Sequence, residues 1–111
     1  INFWASWCPP CVREMPSMQQ LEDQLRNRGF RILAVNLGES EATIRAFLER
    51  VATDFTVLLD PQRVSLEDWR ALAYPSSYLV DRKGRLSHSL YGAIEWHEPG
   101  VVAQIEELLD E

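Results

Sequence analysis

The sequence predicts an α/β domain: a parallel sheet covered by helices, with antiparallel strands added late by a hairpin. Three observations carry that prediction. Short apolar runs rich in β-formers alternate three times with helical patterns. The two cysteines, Cys8 and Cys11, stand where the first such run meets the first helix. Near the end, Ser77–Val80 and Leu86–Tyr91 flank the turn residues Asp81–Gly84, which is hairpin spacing and hairpin chemistry. The predicted order is βαβαβαββα, without internal repeat, low-complexity stretch or linker.

Each element follows from its residues. Ile1–Ala5 is apolar and reads as a buried strand. Cys8 falls at an N-cap position, and Pro9 and Pro10 take the first helical positions, where a missing N–H costs little. The helix is expected to run to about Arg28, with Met15, Met18, Leu21 and Leu25 on its apolar face, a kink at Pro16 and Gly29 as terminator. Phe30–Leu37 reads as a second buried strand, and Ser40 as the N-cap of a helix carrying Ile44, Phe47, Leu48 and Val51 inward. Phe55–Leu59 is a third strand ended by Asp60-Pro61. Val64–Leu72 is a short helix with Leu66 and Trp69 inward, and Pro75 then interrupts the chain. Gly92 to Gly100 is a loop before a closing amphipathic helix built on Val101, Val102, Ile105, Leu108 and Leu109.

The 111 residues are expected to form one domain over positions 1–111, long enough for a core of its own. Hydrophobic residues make up 46% and charged residues 25%, a globular balance. A formal net charge of −6 argues against nucleic acid as a partner. No apolar run approaches the roughly 18 residues of a membrane span. The sequence opens on Ile1 inside an apparent strand, without initiator Met or signal-type segment, and reads as a fragment.

The cysteine spacing suits a redox pair. At i and i+3 of a helix start, two sulfurs reach disulfide distance without backbone strain. The helix N-terminus favours the thiolate of Cys8. Pro9 and Pro10 have no N–H, so among the first three helical amides only that of Cys11 can point at the Cys8 sulfur. A moderately lowered thiol pKa follows, inside the range of about 3.5–7.5 of activated cysteines. That leans the pair toward a reductant. Cys8 is then the attacking thiolate and Cys11 the resolving thiol. Glu14 lies three residues beyond Cys11 on the same helix face, either as the carboxylate that moves its proton or as an exposed acid complementing the helix dipole. Zinc would need two further ligands, and His88 and His97 lack metal-like spacing. Covalent haem would need His where Val12 stands. A structural disulfide over so short a loop gains little entropy. The expected cofactor set is therefore empty apart from the redox-active Cys8–Cys11 disulfide.

These residues resemble the thioredoxin superfamily, and within it the TlpA/ResA/DsbE-like branch. The run Asn2-Phe3-Trp4-Ala5-Ser6-Trp7-Cys8-Pro9-Pro10-Cys11 looks like that branch's active-site signature, and Glu14-Met15-Pro16 like its continuation. Ala34 to Ser40, Leu59-Asp60-Pro61 and Tyr74 to Gly84 are similar to its later motifs. The resemblance implies a thioredoxin-like fold: a central mixed sheet flanked by helices, with the branch's extra βα insert and with the first part of the fold lying outside these residues. It implies that Pro75 is a cis-proline beside the cysteines, leaving the Tyr74 backbone free to pair with a substrate strand. Trp7, Pro9, Pro10, Tyr74, Pro75 and Ser76 then form the substrate groove. It implies a monomeric, extracytoplasmic protein disulfide reductase, tethered by an N-terminal anchor outside these residues. Such proteins act on disulfides, often of apocytochrome c during cytochrome c maturation, and draw electrons from a membrane thiol carrier. Where thioredoxin itself has a buried Asp, this sequence has Asn2.

Two other functions stay open at this level: a general thiol oxidase, and a non-catalytic thioredoxin-fold binding or chaperone module. Among the remaining residues, Trp4 reads as core and Trp7 as groove wall. Trp96 and His97 read as a half-exposed loop, and the acidic Glu106-Glu107 and Asp110-Glu111 as a solvated face.

Overall fold

The computed structural model describes residues Ile1–Glu111. Strand β1 (Asn2–Trp4) leads into helix α1 (Pro9–Leu25), which tightens into a 3₁₀ turn at Arg26–Arg28. Then follow β2 (Leu33–Leu37), α2 (Glu41–Arg50), β3 (Thr56–Asp60), α3 (Val64–Trp69), β4 (Ser76–Val80), β5 (Leu86–Tyr91) and α4 (Pro99–Leu109). The five strands form one sheet in the order β3-β2-β1-β4-β5. β1 pairs parallel with β2, and β2 with β3; β4 pairs antiparallel with both β1 and β5. The sheet is therefore mixed, and β1, the strand that delivers the cysteines, is its centre.

Alternation along β1 sorts the core onto two faces. Trp4 joins the larger cluster with residues of α1, α2 and α4, among them Met15, Met18, Ile44, Phe47 and Ile105. Phe3 joins a smaller one with Leu37, Ala71 and Tyr78, against which Leu66 and Trp69 of α3 pack. Right-handed crossovers between parallel strands put α1 and α2 on one face as the chain steps from β1 outward to β3; α3 packs on the other, against Phe3. No helix is long and apolar enough to cross a membrane.

Element boundaries differ from expectation where a specific group takes a backbone partner. β2 starts at Leu33 because the Phe30 N–H bonds the Leu25 carbonyl and the Ile32 N–H bonds a Glu22 carboxylate oxygen at 2.8 Å. α3 stops at Trp69 because Arg70 turns left-handed (φ 53°) and its N–H folds back onto Glu67 and Leu66. α4 begins earlier, at Pro99, where the Glu98 side chain caps the Val101 N–H at 3.3 Å. The continuous apolar run in β2 is not uniformly buried. Leu33, and Leu58 on β3 opposite Val35, stay exposed on the face where α3 has only six residues to cover the sheet.

Candidate functional site

The cysteines sit at the C-terminal end of the central strand. The turn between β1 and α1 is closed by the Cys8 N–H on the Ala5 carbonyl. Cys8 is the N-cap of α1 in extended conformation, with Pro9 and Pro10 as its first two helical residues. Cys8 and Cys11 are joined by a disulfide, with Cα atoms 5.3 Å apart. Both are buried, Cys8 at 4% and Cys11 at 1% exposure. The Cys11 N–H points at the Cys8 sulfur, 3.3 Å away. With prolines at the two preceding positions, it is the only one of the first three helical amides available to do so.

Glu14 is not the exposed first-turn acid that would merely complement the helix dipole. It is 3% exposed. Asn2 Nδ2 donates to its Oε1 at 2.9 Å; the Ile94 N–H at 3.2 Å and Trp96 Nε1 at 3.0 Å donate to its Oε2. Burial pushes its pKa above the usual carboxylate value, and the hydrogen bonds from Ile94, Asn2 and Trp96 only partly offset that.

The expected groove residues do not share one environment. Trp7 is 66% exposed and stacks on Tyr74, their ring centroids 5.2 Å apart. Pro9 is exposed, while Pro10 and Tyr74 are half-buried. The Tyr74–Pro75 peptide bond is cis, and the Pro75 side chain is buried. The Tyr74 N–H and C=O make no hydrogen bond within the protein. Ser76 is a correction to the expected groove: it is fully buried in β4, and its hydroxyl donates to the Ala73 carbonyl at 2.6 Å. Ser76 falls on the same side of β4 as Tyr78, the α3 side, whereas Ser77 reaches Asn2 on the other.

Two site features went unread in the sequence. Trp96, expected to be half-exposed, is 5% exposed and lies in the same core cluster as both cysteines. Its backbone N–H is held by Ser17 Oγ at 3.0 Å. Glu39, in the turn after β2, binds the loop that carries the cysteines. Its carboxylate accepts the Ser6 N–H at 2.7 Å, the Ser6 hydroxyl at 2.5 Å and Asn36 Nδ2 at 2.9 Å. Burial acts to raise its pKa, but the Asn36 and Ser6 hydrogen bonds prevail and hold it below the usual value. The signals available were a polar Asn inside an apolar strand and a lone large aromatic in a polar loop. His88 and His97 are both exposed, and no cluster of three His, Cys, Asp or Glu gathers where it could hold a metal ion.

The family model described as AhpC/TSA matches residues 1–89. The chain belongs to the AhpC/TSA family. Among curated proteins, this AhpC/TSA chain is 35% identical over 94 residues to the thiol-disulfide oxidoreductase ResA of Geobacillus kaustophilus, covering 85% of the chain and 54% of that protein. It is 31% identical over 94 residues to ResA of Bacillus subtilis, covering 85% and 52%. The chain thus spans about half the length of the curated relatives it matches. A Chlorobium tepidum structure described as a DsbE-type thiol:disulfide interchange protein superposes with a TM-score of 0.90 at 32% identity, over 97% of this chain and 77% of that one. StoA of Bacillus subtilis, at 24% identity and a TM-score of 0.77 over 96% and 78%, shares the fold. That fold is thioredoxin-like, as the sequence resemblance implied.

Proposed function

We propose that this chain is the working domain of a thiol-disulfide oxidoreductase that reduces disulfides in extracytoplasmic proteins, apocytochrome c among them. The observation that carries the reading is the Cys8–Cys11 disulfide at the start of α1, with one amide aimed at the Cys8 sulfur. The names of the ResA and DsbE relatives support it.

In the proposed cycle both cysteines begin as thiols. Cys8, deprotonated, attacks one sulfur of the partner's disulfide; an S–S bond forms to the partner and the partner's other sulfur leaves as a thiolate. Cys11, deprotonated in turn, attacks the Cys8 sulfur, closing the Cys8–Cys11 disulfide and releasing the second partner thiolate. Two electrons pass to the partner, and the two protons lost by the cysteines end on its thiols. Glu14 is the group proposed to take the proton from Cys11, one helical turn away. The disulfide is then reopened by a dithiol carrier in the membrane. Tyr74, with its unpaired backbone groups beside buried Pro75, would receive the partner in extended form, with Trp7, Pro9 and Pro10 as the neighbouring surface. The domain is proposed to act as a monomer without a further cofactor.

The test is turnover. The protein should accelerate insulin reduction by dithiothreitol, and Cys8→Ser should abolish the acceleration. Cys11→Ser should hold a partner as a mixed disulfide on Cys8, identifiable by mass. A rate no greater than background would leave a binding module, and trapping through another residue would overturn the assigned roles.

A further inference from the structure

The Glu14 carboxylate lies where four parts of the chain meet. α1 carries it, and β1 supplies Asn2. β4 supplies Ser77, whose hydroxyl accepts from the same Asn2 amide at 2.8 Å. The segment between β5 and α4 supplies Ile94 and Trp96. That last segment is itself tied down. The Trp96 N–H donates to Ser17 Oγ, and the Ser17 hydroxyl donates to the Glu14 backbone carbonyl at 2.9 Å.

All three donors to the carboxylate are neutral. No cation faces it from any packed element. On α1 the nearest titratable neighbours are Cys8 and Cys11, joined as a disulfide, and Arg13, which is exposed. β1 has no titratable side chain, and the Ile1 ammonium that precedes it donates to the Tyr78 carbonyl at 2.8 Å. On β4 the one such group is Tyr78, whose hydroxyl donates to the Trp69 carbonyl on the opposite face. Glu95, His97 and Glu98 of the connecting segment are exposed. A buried carboxylate without a counter-ion keeps its charge only through the hydrogen bonds it accepts. Trp96 contributes to both sides of that balance. Its ring excludes water, which disfavours the charge, and its indole N–H donates, which favours it.

We propose that Trp96 is a positioning residue, whose indole N–H fixes the Glu14 carboxylate and so sets the pH range over which Glu14 exchanges a proton with Cys11. This rests on the reading of Glu14 as the proton acceptor for Cys11. Trp96→Phe separates the two effects of the indole, since the ring that keeps water out remains and the donor is lost. Hydrogen bonds to a buried charge are strong enough that losing one of three should raise the Glu14 midpoint by about one pH unit.

The test follows two signals by NMR in the intact protein: the Glu14 side-chain carboxyl carbon, isotopically labelled, and the indole N–H resonances. In the unmodified protein the Trp96 indole should shift with the Glu14 midpoint. The Trp4 indole, which has no hydrogen-bond partner, should not. In Trp96→Phe the carboxyl midpoint should rise by about one pH unit, and the pH profile of thiol–disulfide exchange should move with it. In a Glu14→Gln background the same substitution should leave that profile where it was. A Trp96 indole blind to the Glu14 titration, an unmoved midpoint in Trp96→Phe, or an equal profile shift in the Glu14→Gln background would each overturn the proposal. A midpoint that rises while the exchange profile stays fixed would overturn the proton-transfer reading of Glu14 and leave the Trp96 contact standing. The unmodified protein alone decides the first point, whether or not the variant folds.

Discussion

The indole of Trp7 lies over the ring of Tyr74, with centroids 5.2 Å apart and planes inclined by 29°. Trp7 directly precedes Cys8, and Tyr74 precedes the buried Pro75, so the stack bridges the two segments proposed to hold a partner. With 66% of Trp7 still exposed, most of its surface is left for a second molecule. Aromatic contacts of this kind contribute about 0.5–1.5 kcal/mol beyond burial. Trp7→Ala should therefore raise KM for a protein disulfide by roughly 3–10-fold. The rate with a small disulfide such as oxidised glutathione should change far less. Steady-state kinetics on both substrates checks this; equal losses on the two would place Trp7 in the chemistry instead of the docking surface.

Pro10 bears on thiol acidity. It occupies the second helical position of α1, whose N–H would otherwise be free to approach the N-cap side chain. Pro10→Ala restores that N–H, giving the Cys8 thiolate a second donor beside the Cys11 amide already at 3.3 Å. The Cys8 pKa should fall by about one unit. Stabilising the thiolate stabilises the reduced form, so the pair should become more oxidising by up to about 30 mV. Thiolate absorbance titration and equilibration against glutathione measure the two quantities. An unchanged pKa would mean that the restored amide does not reach the sulfur.

The path from β1 through Cys8 to α1 was legible because local rules fix it: an apolar strand, an N-cap, two prolines at the helix start and Gly29 in left-handed conformation at its end. The hairpin Ser76–Tyr91 was legible for the same reason. The surroundings of Glu14 were not. Trp96 reaches it across 82 positions, and a lone large aromatic in a polar segment hints at burial without saying against what; α1 and α4 closing over it supply that burial. Ser76 misled because its place beside Pro75 suggested a surface, whereas the alternation of β4 turns it toward α3.

Glu14 gives stability a pH dependence of definite sign. Its pKa in the folded protein is raised, chiefly by burial, so the folded state holds that proton more tightly than the unfolded chain does. The unfolded state therefore binds fewer protons between the two pKa values, and stability falls as pH rises through that window. The window opens near the ordinary Glu value of about 4.3 and closes at the raised folded value. Glu14→Gln removes the titration while keeping a similar shape. The difference in melting temperature, variant minus parent, should grow more positive as pH rises across the window and level off above it. Thermal melts of the oxidised proteins from acid to neutral pH check this. A difference that is flat with pH would mean that Glu14 titrates as an ordinary exposed acid.

Glu39 should behave in the opposite sense. Its pKa is lowered because the hydrogen bonds from Asn36 and Ser6 outweigh the effect of burial, so it contributes stability above its unfolded value that is lost as pH falls through its folded value. Those bonds fasten the turn after β2 to Ser6, two residues before Cys8. Glu39→Ala leaves the Ser6 N–H and hydroxyl to water and frees the loop that presents the cysteines. The expected cost is about 1–2 kcal/mol at neutral pH, shrinking toward the acid side, where the parent also loses the carboxylate. Amide exchange should quicken at Ser6 while the core of α1 around Met18 and Leu21 keeps its protection. Denaturant melts at neutral and acid pH, paired with amide exchange, measure both effects. Equal destabilisation at the two pH values would show that Glu39 acts through packing and not through its charge.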